Sequence, residues 1–350
     1  RNGPRIERAH GRASAPGSLQ FPPVAGRGSC LVGVGGYSPR PALGEPTLMP
    51  RPDILSRRGV LVSGALGLLS ISTRSFAQPD MPRLAPPTIA DRGSALYQFL
   101  TVPVAPQDGA RSYRLIVAVP RRMAPQSGYP IAWLLDGKAA MGHVDEPLLA
   151  SLDAAGPPVI VAIGHDTPLR LDGPERMRDY TPTKPTAKQE GRIGGGADAF
   201  LAAILDVMRP KVESVAPIDP RRQTIWGHSL GGLFVLHSLM RRPDAFAGYY
   251  AASPSLWWDG GAIMTMAVAA PTDPRRCTLL IGEGSDVAQD RQERPRTSRF
   301  NIDAANRAAF YHRLQTRSAA NLKQIDLGPL HHGATFGATI APALRLATSL

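Results

Sequence analysis

The chain has 350 residues, 43% of them apolar and 19% charged, with a mean hydropathy of −0.13, so it carries enough apolar material for one large core or two small ones and is a poor candidate for disorder. Glycine and proline number 35 each without a period, which excludes a collagen-like repeat and points to a loop-rich globular fold. The formal charge of +12 is unevenly placed: residues 1–77 hold ten arginines against Glu7, Glu45 and Asp53, a surplus of seven, and the other 273 residues carry only five. Spread so thinly and without a basic stripe, that charge argues against a nucleic-acid partner, while a mild attraction for anionic small molecules stays open.

Taken in chain order, residues 1–48 hold few acids and no hydrophobic period, and read as a non-native or disordered leader ahead of a natural start at Met49. Residues 49–77 follow as Ser56-Arg57-Arg58-Gly59-Val60-Leu61, an uncharged run to Thr73, and Ser75-Phe76-Ala77 before Gln78. This pattern resembles a twin-arginine export signal with a small-residue cleavage site, and implies a periplasmic or secreted protein starting near Gln78. The apolar run is shorter than the roughly 20 residues of a stable bilayer span. A retained N-terminal anchor is the alternative. With Cys30 in the leader, the mature chain keeps only Cys277, which opens an apolar run and reads as a buried strand residue.

From residue 78 onward, strand-length apolar runs alternate with helix-length segments, the pattern of a mostly parallel sheet with helices on both faces. Strands are expected at 95–104, 111–119, 131–136, 158–163, 223–227, 248–252, 278–282 and 322–327. The first two are expected to be antiparallel, joined through Gln107-Asp108-Gly109. Helices are expected at 144–154, 197–215, 230–241, 261–269, 302–319 and 336–348. Residues 165–196 and 283–300 show no period and read as long loops beyond strand C-termini, where ligands bind in such sheets. One α/β domain over 78–350 is the reading.

The chemistry centres on Ile225-Trp226-Gly227-His228-Ser229-Leu230-Gly231-Gly232-Leu233, a G-x-S-x-G between a strand and a helix. Glycine is expected at both flanks because a Cβ would clash in so sharp a turn, and Ser229 would stand at a helix N-terminus, where developing negative charge is favoured. A serine hydroxyl needs an imidazole to take its proton, and His332 is the expected base, with His331 as competitor. Chain order places an acid between them, Glu283 or Asp286. The oxyanion hole is expected from the backbone of Leu230 and of the loop Asp136-Gly137-Lys138. The remaining histidines show no metal spacing, so no metal and no cofactor are expected.

The chain resembles the esterase D-like α/β-hydrolases, and within them the periplasmic trilactone esterases that cut enterobactin- and salmochelin-type siderophores. The likeness rests on Tyr113-Arg114, Gly128-Tyr129-Pro130, Leu135-Asp136-Gly137, 157–164, Arg176 with Asp179-Tyr180-Thr181-Pro182, Gly195-Gly196, 226–236, Ala252-Ser253-Pro254-Ser255-Leu256, Glu283-Gly284-Ser285 and His332-Gly333. It implies a small-molecule ester substrate, an anionic siderophore free or iron-loaded, with the serine and histidine as the working pair. A conventional triad acid is not always present in the family, so Glu283 stays open as catalytic, capping or pocket-lining. Arg176 would help to hold the anion, against an ion pair with Asp179 or Glu175. His228, Trp257 and Trp258 are expected to line the substrate pocket, with packing beneath the loop as the alternative for the tryptophans. Another acyl ester, or capture of a siderophore without turnover, are the competing functions.

Overall fold

Eight strands form one sheet in the order β1-β2-β4-β3-β5-β6-β7-β8. The computed structural model describes residues 83–105, 111–186, 193–269, 278–284, 302–318 and 320–350. The leader, the export-signal segment, the Gln107-Asp108-Gly109 turn, Cys277, Ser285 and Asp286 lie outside these residues. The strands are β1 (Tyr97–Val104), β2 (Tyr113–Pro120), β3 (Tyr129–Leu134), β4 (Val159–His165), β5 (Ile218–His228), β6 (Gly248–Ala252), β7 (Thr278–Glu283) and β8 (Asn321–Asp326). β2 pairs antiparallel with both β1 and β4, and every other pairing is parallel. All eight strands lie where the apolar runs place them.

Burial explains the pattern strand by strand. Every residue of β3 and β6 is buried, as parallel strands covered on two faces require, whereas the edge strand β8 exposes four of its six residues. Nine α-helices are described: α1 (Ile89–Arg92), α2 (Gly137–Met141), α3 (Glu146–Ala155), α4 (Gly173–Tyr180), α5 (Ala197–Ala202), α6 (Arg209–Glu213), α7 (Leu230–Arg241), α8 (Ala304–Ser318) and α9 (His332–Ser349). One core packs α5, α7 and α8 on one face of the sheet through Phe200, Phe234 and Leu314, and a second packs α3 and α9 on the other through Leu149, Phe336 and Ile340. Trp226 of β5 lies in the second core with its indole N–H donating to Thr339 of α9 at 3.1 Å, so a large side chain is buried without an orphaned donor.

Several expectations are corrected. The helix read over 197–215 is interrupted by a π-helical turn, Ala203–Met208, just before Pro210, which has no backbone N–H to continue the ladder. The helix read over 261–269 is instead a 3-10 segment, Trp258–Thr265, with Asp259, Gly260 and Gly261 all at positive φ. Residues 165–196, read as loop, contain α4, and the last helix begins at His332 rather than Phe336. Among the described residues, no helix is long and apolar enough to cross a membrane.

Candidate active site

Ser229 sits between β5 and α7 with φ 61° and ψ −114°, a conformation strained for a residue with a Cβ. The strain is held by backbone contacts: its N–H donates to Ala252 O at 2.9 Å, and its carbonyl accepts from Leu233 at 2.9 Å and from Ser255 at 3.0 Å. Of the two flanking glycines, the turn depends on Gly227, where a Cβ would lie 2.4 Å from the carbonyl oxygen of Gly231. At Gly231 a Cβ would meet Leu135 at an ordinary 3.4 Å, so the expectation of a clash at both flanks holds for one.

His332 Nε2 lies 3.0 Å from Ser229 Oγ, the distance at which an imidazole accepts a hydroxyl proton. Its place is fixed by the N-terminus of α9, where His331 is the N-cap and its Nδ1 accepts from the Ala334 N–H at 3.3 Å. The two adjacent histidines thus have separate positions: one caps the helix and the other meets the serine.

Beneath His332 lies a polar cluster that sequence reasoning missed. The His332 carbonyl accepts from Thr335 Oγ1 at 2.7 Å and faces His228 Nε2 at 2.8 Å, which assigns the proton to that nitrogen. Ser253 Oγ joins the cluster through Thr335 Oγ1 at 2.9 Å. His228 is only 5% exposed, and its ring lies against that of His332, tilted by 47° with centroids 4.7 Å apart. Burial, reinforced by the neighbouring His332, pushes its pKa down to about 3, so it is neutral at physiological pH. The expectation that His228 lines the substrate pocket is therefore corrected: it supports the histidine that meets Ser229. The signal available in the sequence was its place inside the elbow, which gives it no direction.

Leu230 opens α7 and Gly137 opens α2, and the N–H groups of first helical residues have no intrahelical acceptor. The two turns adjoin, since a Cβ on Gly231 would lie 3.8 Å from Asp136 Oδ2. Gly137 is required there because its Cβ would sit 2.8 Å from the backbone of β4. Lys138 directs its ammonium to the Thr167 carbonyl, so its side chain is committed to the loop after β4.

The charges expected around the pocket are matched within the fold. Arg176 binds Asp136 through Nε at 2.6 Å and Nη2 at 2.9 Å, not Asp179 or Glu175. Burial works against this guanidinium charge and Asp136 outweighs it, so the Arg176 pKa rises. Asp179, fully buried, takes Arg111 at 2.5 Å, His165 at 2.9 Å and the Tyr113 hydroxyl at 3.0 Å. Glu283 accepts from Tyr311 at 2.8 Å and faces Arg307 at 3.7 Å, so its carboxylate is engaged by α8. Trp258 is 1% exposed with its N–H on the Thr183 carbonyl, which corrects its assignment to the pocket: it is core. Trp257 is half-buried and packs on that core beside it. Among the described residues no group of side chains is arranged to hold a metal ion.

The sequence and the fold are similar to those of known proteins. The model of the Esterase family, described as "Putative esterase", matches residues 109–344. The chain belongs to this family. It is a carboxylic ester hydrolase of the α/β-hydrolase fold. It is 42% identical over 234 residues to the apo-salmochelin esterase of Escherichia coli O6:H1, covering 64% of this chain and 72% of that one. It is 38% identical over 161 residues to the ferri-bacillibactin esterase BesA of Bacillus subtilis, covering 43% of this chain and 55% of the relative. Among solved structures, the enterobactin and salmochelin hydrolase IroE superposes with a TM-score of 0.60 at 36% identity, over 75% of this chain and 99% of that one.

Proposed function

We propose that this esterase hydrolyses the ester bonds of an enterobactin-like catecholate siderophore trilactone, releasing iron for uptake. The observation that carries the catalytic part is the 3.0 Å contact between His332 Nε2 and the Oγ of a serine held in a strained turn. The substrate class is supported by relatives named for siderophore esters, each carrying the property in its own name.

Ser229 Oγ attacks a lactone carbonyl while its proton passes to His332 Nε2, and the oxyanion is held by the backbone N–H groups of Leu230 and Gly137. The C–O bond of the ester then breaks, and the departing serine alkoxide of the macrocycle takes the proton from His332. Water attacks the acyl-enzyme with His332 as base, Ser229 recovers its proton, and the chain of catechol-bearing units is released with one water added. His228 and Thr335 keep the His332 backbone fixed through this exchange.

The test is mass spectrometry of the purified enzyme incubated with free and ferric enterobactin, with Ser229→Ala alongside. Products heavier by one, two or three waters are expected, with the rate falling on the order of 10⁴-fold or more in the variant. Hydrolysis of p-nitrophenyl butyrate without water addition to either form of enterobactin would place the substrate elsewhere. The twin-arginine-like segment at 49–77 supports export to the periplasm or medium, and an N-terminal mass on exported protein that retains Arg57-Arg58 would refute cleavage.

A further inference from the structure

The acyl-transfer scheme uses Ser229 and His332 and leaves one buried hydroxyl at the site without a role. Ser255 is 1% exposed, and its Oγ lies 3.0 Å from the Oγ of Ser229. The approach is built into the backbone. After β6 the chain turns at Ser253, which adopts φ 41° and donates its N–H to Gly282 O at 2.7 Å. Gly232 of α7 lets this segment come close, since a Cβ there would lie 2.9 Å from Ala252 O and 3.1 Å from the Pro254 Cα. The Ser255 N–H then donates to the Ser229 carbonyl at 3.0 Å, a second tie between the same two residues.

The direction of the hydroxyl bond follows from its neighbours. Ser229 presents its proton to His332 Nε2, which leaves its Oγ lone pairs to accept. Among the described residues, the Ser255 hydroxyl has no other hydrogen-bond partner than that oxygen. Resting on the assignment of Ser229 as nucleophile, we propose that Ser255 is a further catalytic residue, whose hydroxyl donates to the Ser229 Oγ and speeds its release from the acyl-enzyme.

The two half-reactions feel this bond differently. In the free enzyme Oγ belongs to a hydroxyl, a good acceptor, and the bond to Ser255 is already made before attack. In the acyl-enzyme Oγ is the alkoxy oxygen of an ester, a poor acceptor. When water has added and the C–Oγ bond breaks, the electron pair goes to Oγ, charge grows there, and the Ser255 bond strengthens until His332 returns the proton to Oγ. Ser255 keeps its own proton throughout. A contact stronger in the transition state than in the preceding ground state accelerates that step and no other. Deacylation therefore gains, and acylation gains little.

The experiment compares Ser255→Ala with the full-length wild type on p-nitrophenyl butyrate, and follows labelling of both by diisopropyl fluorophosphate. The variant is expected to lose about tenfold in kcat, the usual worth of one neutral hydrogen bond. Its kcat/KM should stay within about twofold of wild type, because KM falls with kcat when acyl-enzyme accumulates. The butyryl group should be seen on Ser229 by intact-protein and peptide mass. Labelling of Ser229 should proceed at nearly the wild-type rate, which also shows that the variant is folded. Loss of kcat and kcat/KM in equal measure, or an unchanged kcat, would overturn the role of Ser255. Failure of the wild type to be labelled at Ser229 would overturn the nucleophile assignment itself, a separate outcome.

Discussion

The Ser229 turn and the α4 segment face the same site and are held by different forces. Ser229 is positioned by backbone: its N–H donates to Ala252, its carbonyl accepts from Leu233 and Ser255, and a glycine contact tolerates no Cβ. α4 is positioned by charge: Arg176 on Asp136, and Asp179 on Arg111, His165 and Tyr113. Backbone packing is indifferent to protonation, whereas a buried ion cluster is stable only while every member is present and correctly charged. The nucleophile is thus fixed chiefly by backbone contacts, and the wall beside it by charge.

The largest expected effect strikes the charged side. Asp179→Ala leaves Arg111 without its buried partner and should lower stability by about 3 to 5 kcal/mol, measured by urea unfolding. If the loss is below about 1 kcal/mol, α4 is not held by this cluster. On the backbone side, Gly227→Ala should cost about 3 kcal/mol or more, because neither β5 nor α7 can withdraw from a contact of 2.4 Å. Gly231→Ala should cost less than about 1 kcal/mol, having only an ordinary contact to accept. Equal effects from the two substitutions would show that the turn relaxes, and would erase the contrast.

A pH-dependent effect concerns a side chain of the Ser229 turn itself. His228 has a folded pKa of about 3 against an ordinary 6.5, so at pH 7 it is neutral in the folded chain and mostly neutral in the unfolded one, and contributes little pH dependence. As the pH falls below about 6.5 the unfolded chain takes up a proton that the folded one refuses, and stability drains until the pH reaches about 3. Between pH 7 and pH 5 this single group should lower stability by about 2 kcal/mol. In His228→Asn that share of the acid sensitivity should vanish, readable from unfolding midpoints at the two pH values.

The same contrast explains what could be read from the sequence. Central strands such as β3 and β6 are legible because burial on two faces demands continuous apolar runs, and Gly227-His228-Ser229-Leu230-Gly231 is legible because a turn that tight admits few residue types. α4 is not legible: its eight residues bury Asp179 and Tyr180 through polar contacts, leaving no apolar period to detect. The start of α9 is missed by four residues because His331 is not a common N-cap residue. Ser255, Thr335 and Asp136 meet the site through bonds between segments far apart in the chain. Arg176 is identifiable as a charge, but its partner, forty residues away in β3's following turn, is settled only by packing.

The position of His332 in the first turn of α9 has a consequence for biosynthesis. In chain order α9 follows all eight strands, so the turn bearing Ser229 emerges from the ribosome 103 residues before the imidazole that serves it. Until α9 docks through Trp226 and Thr339, the serine has no base. The Ser229–His332 pair is therefore assembled only together with completion of the second core.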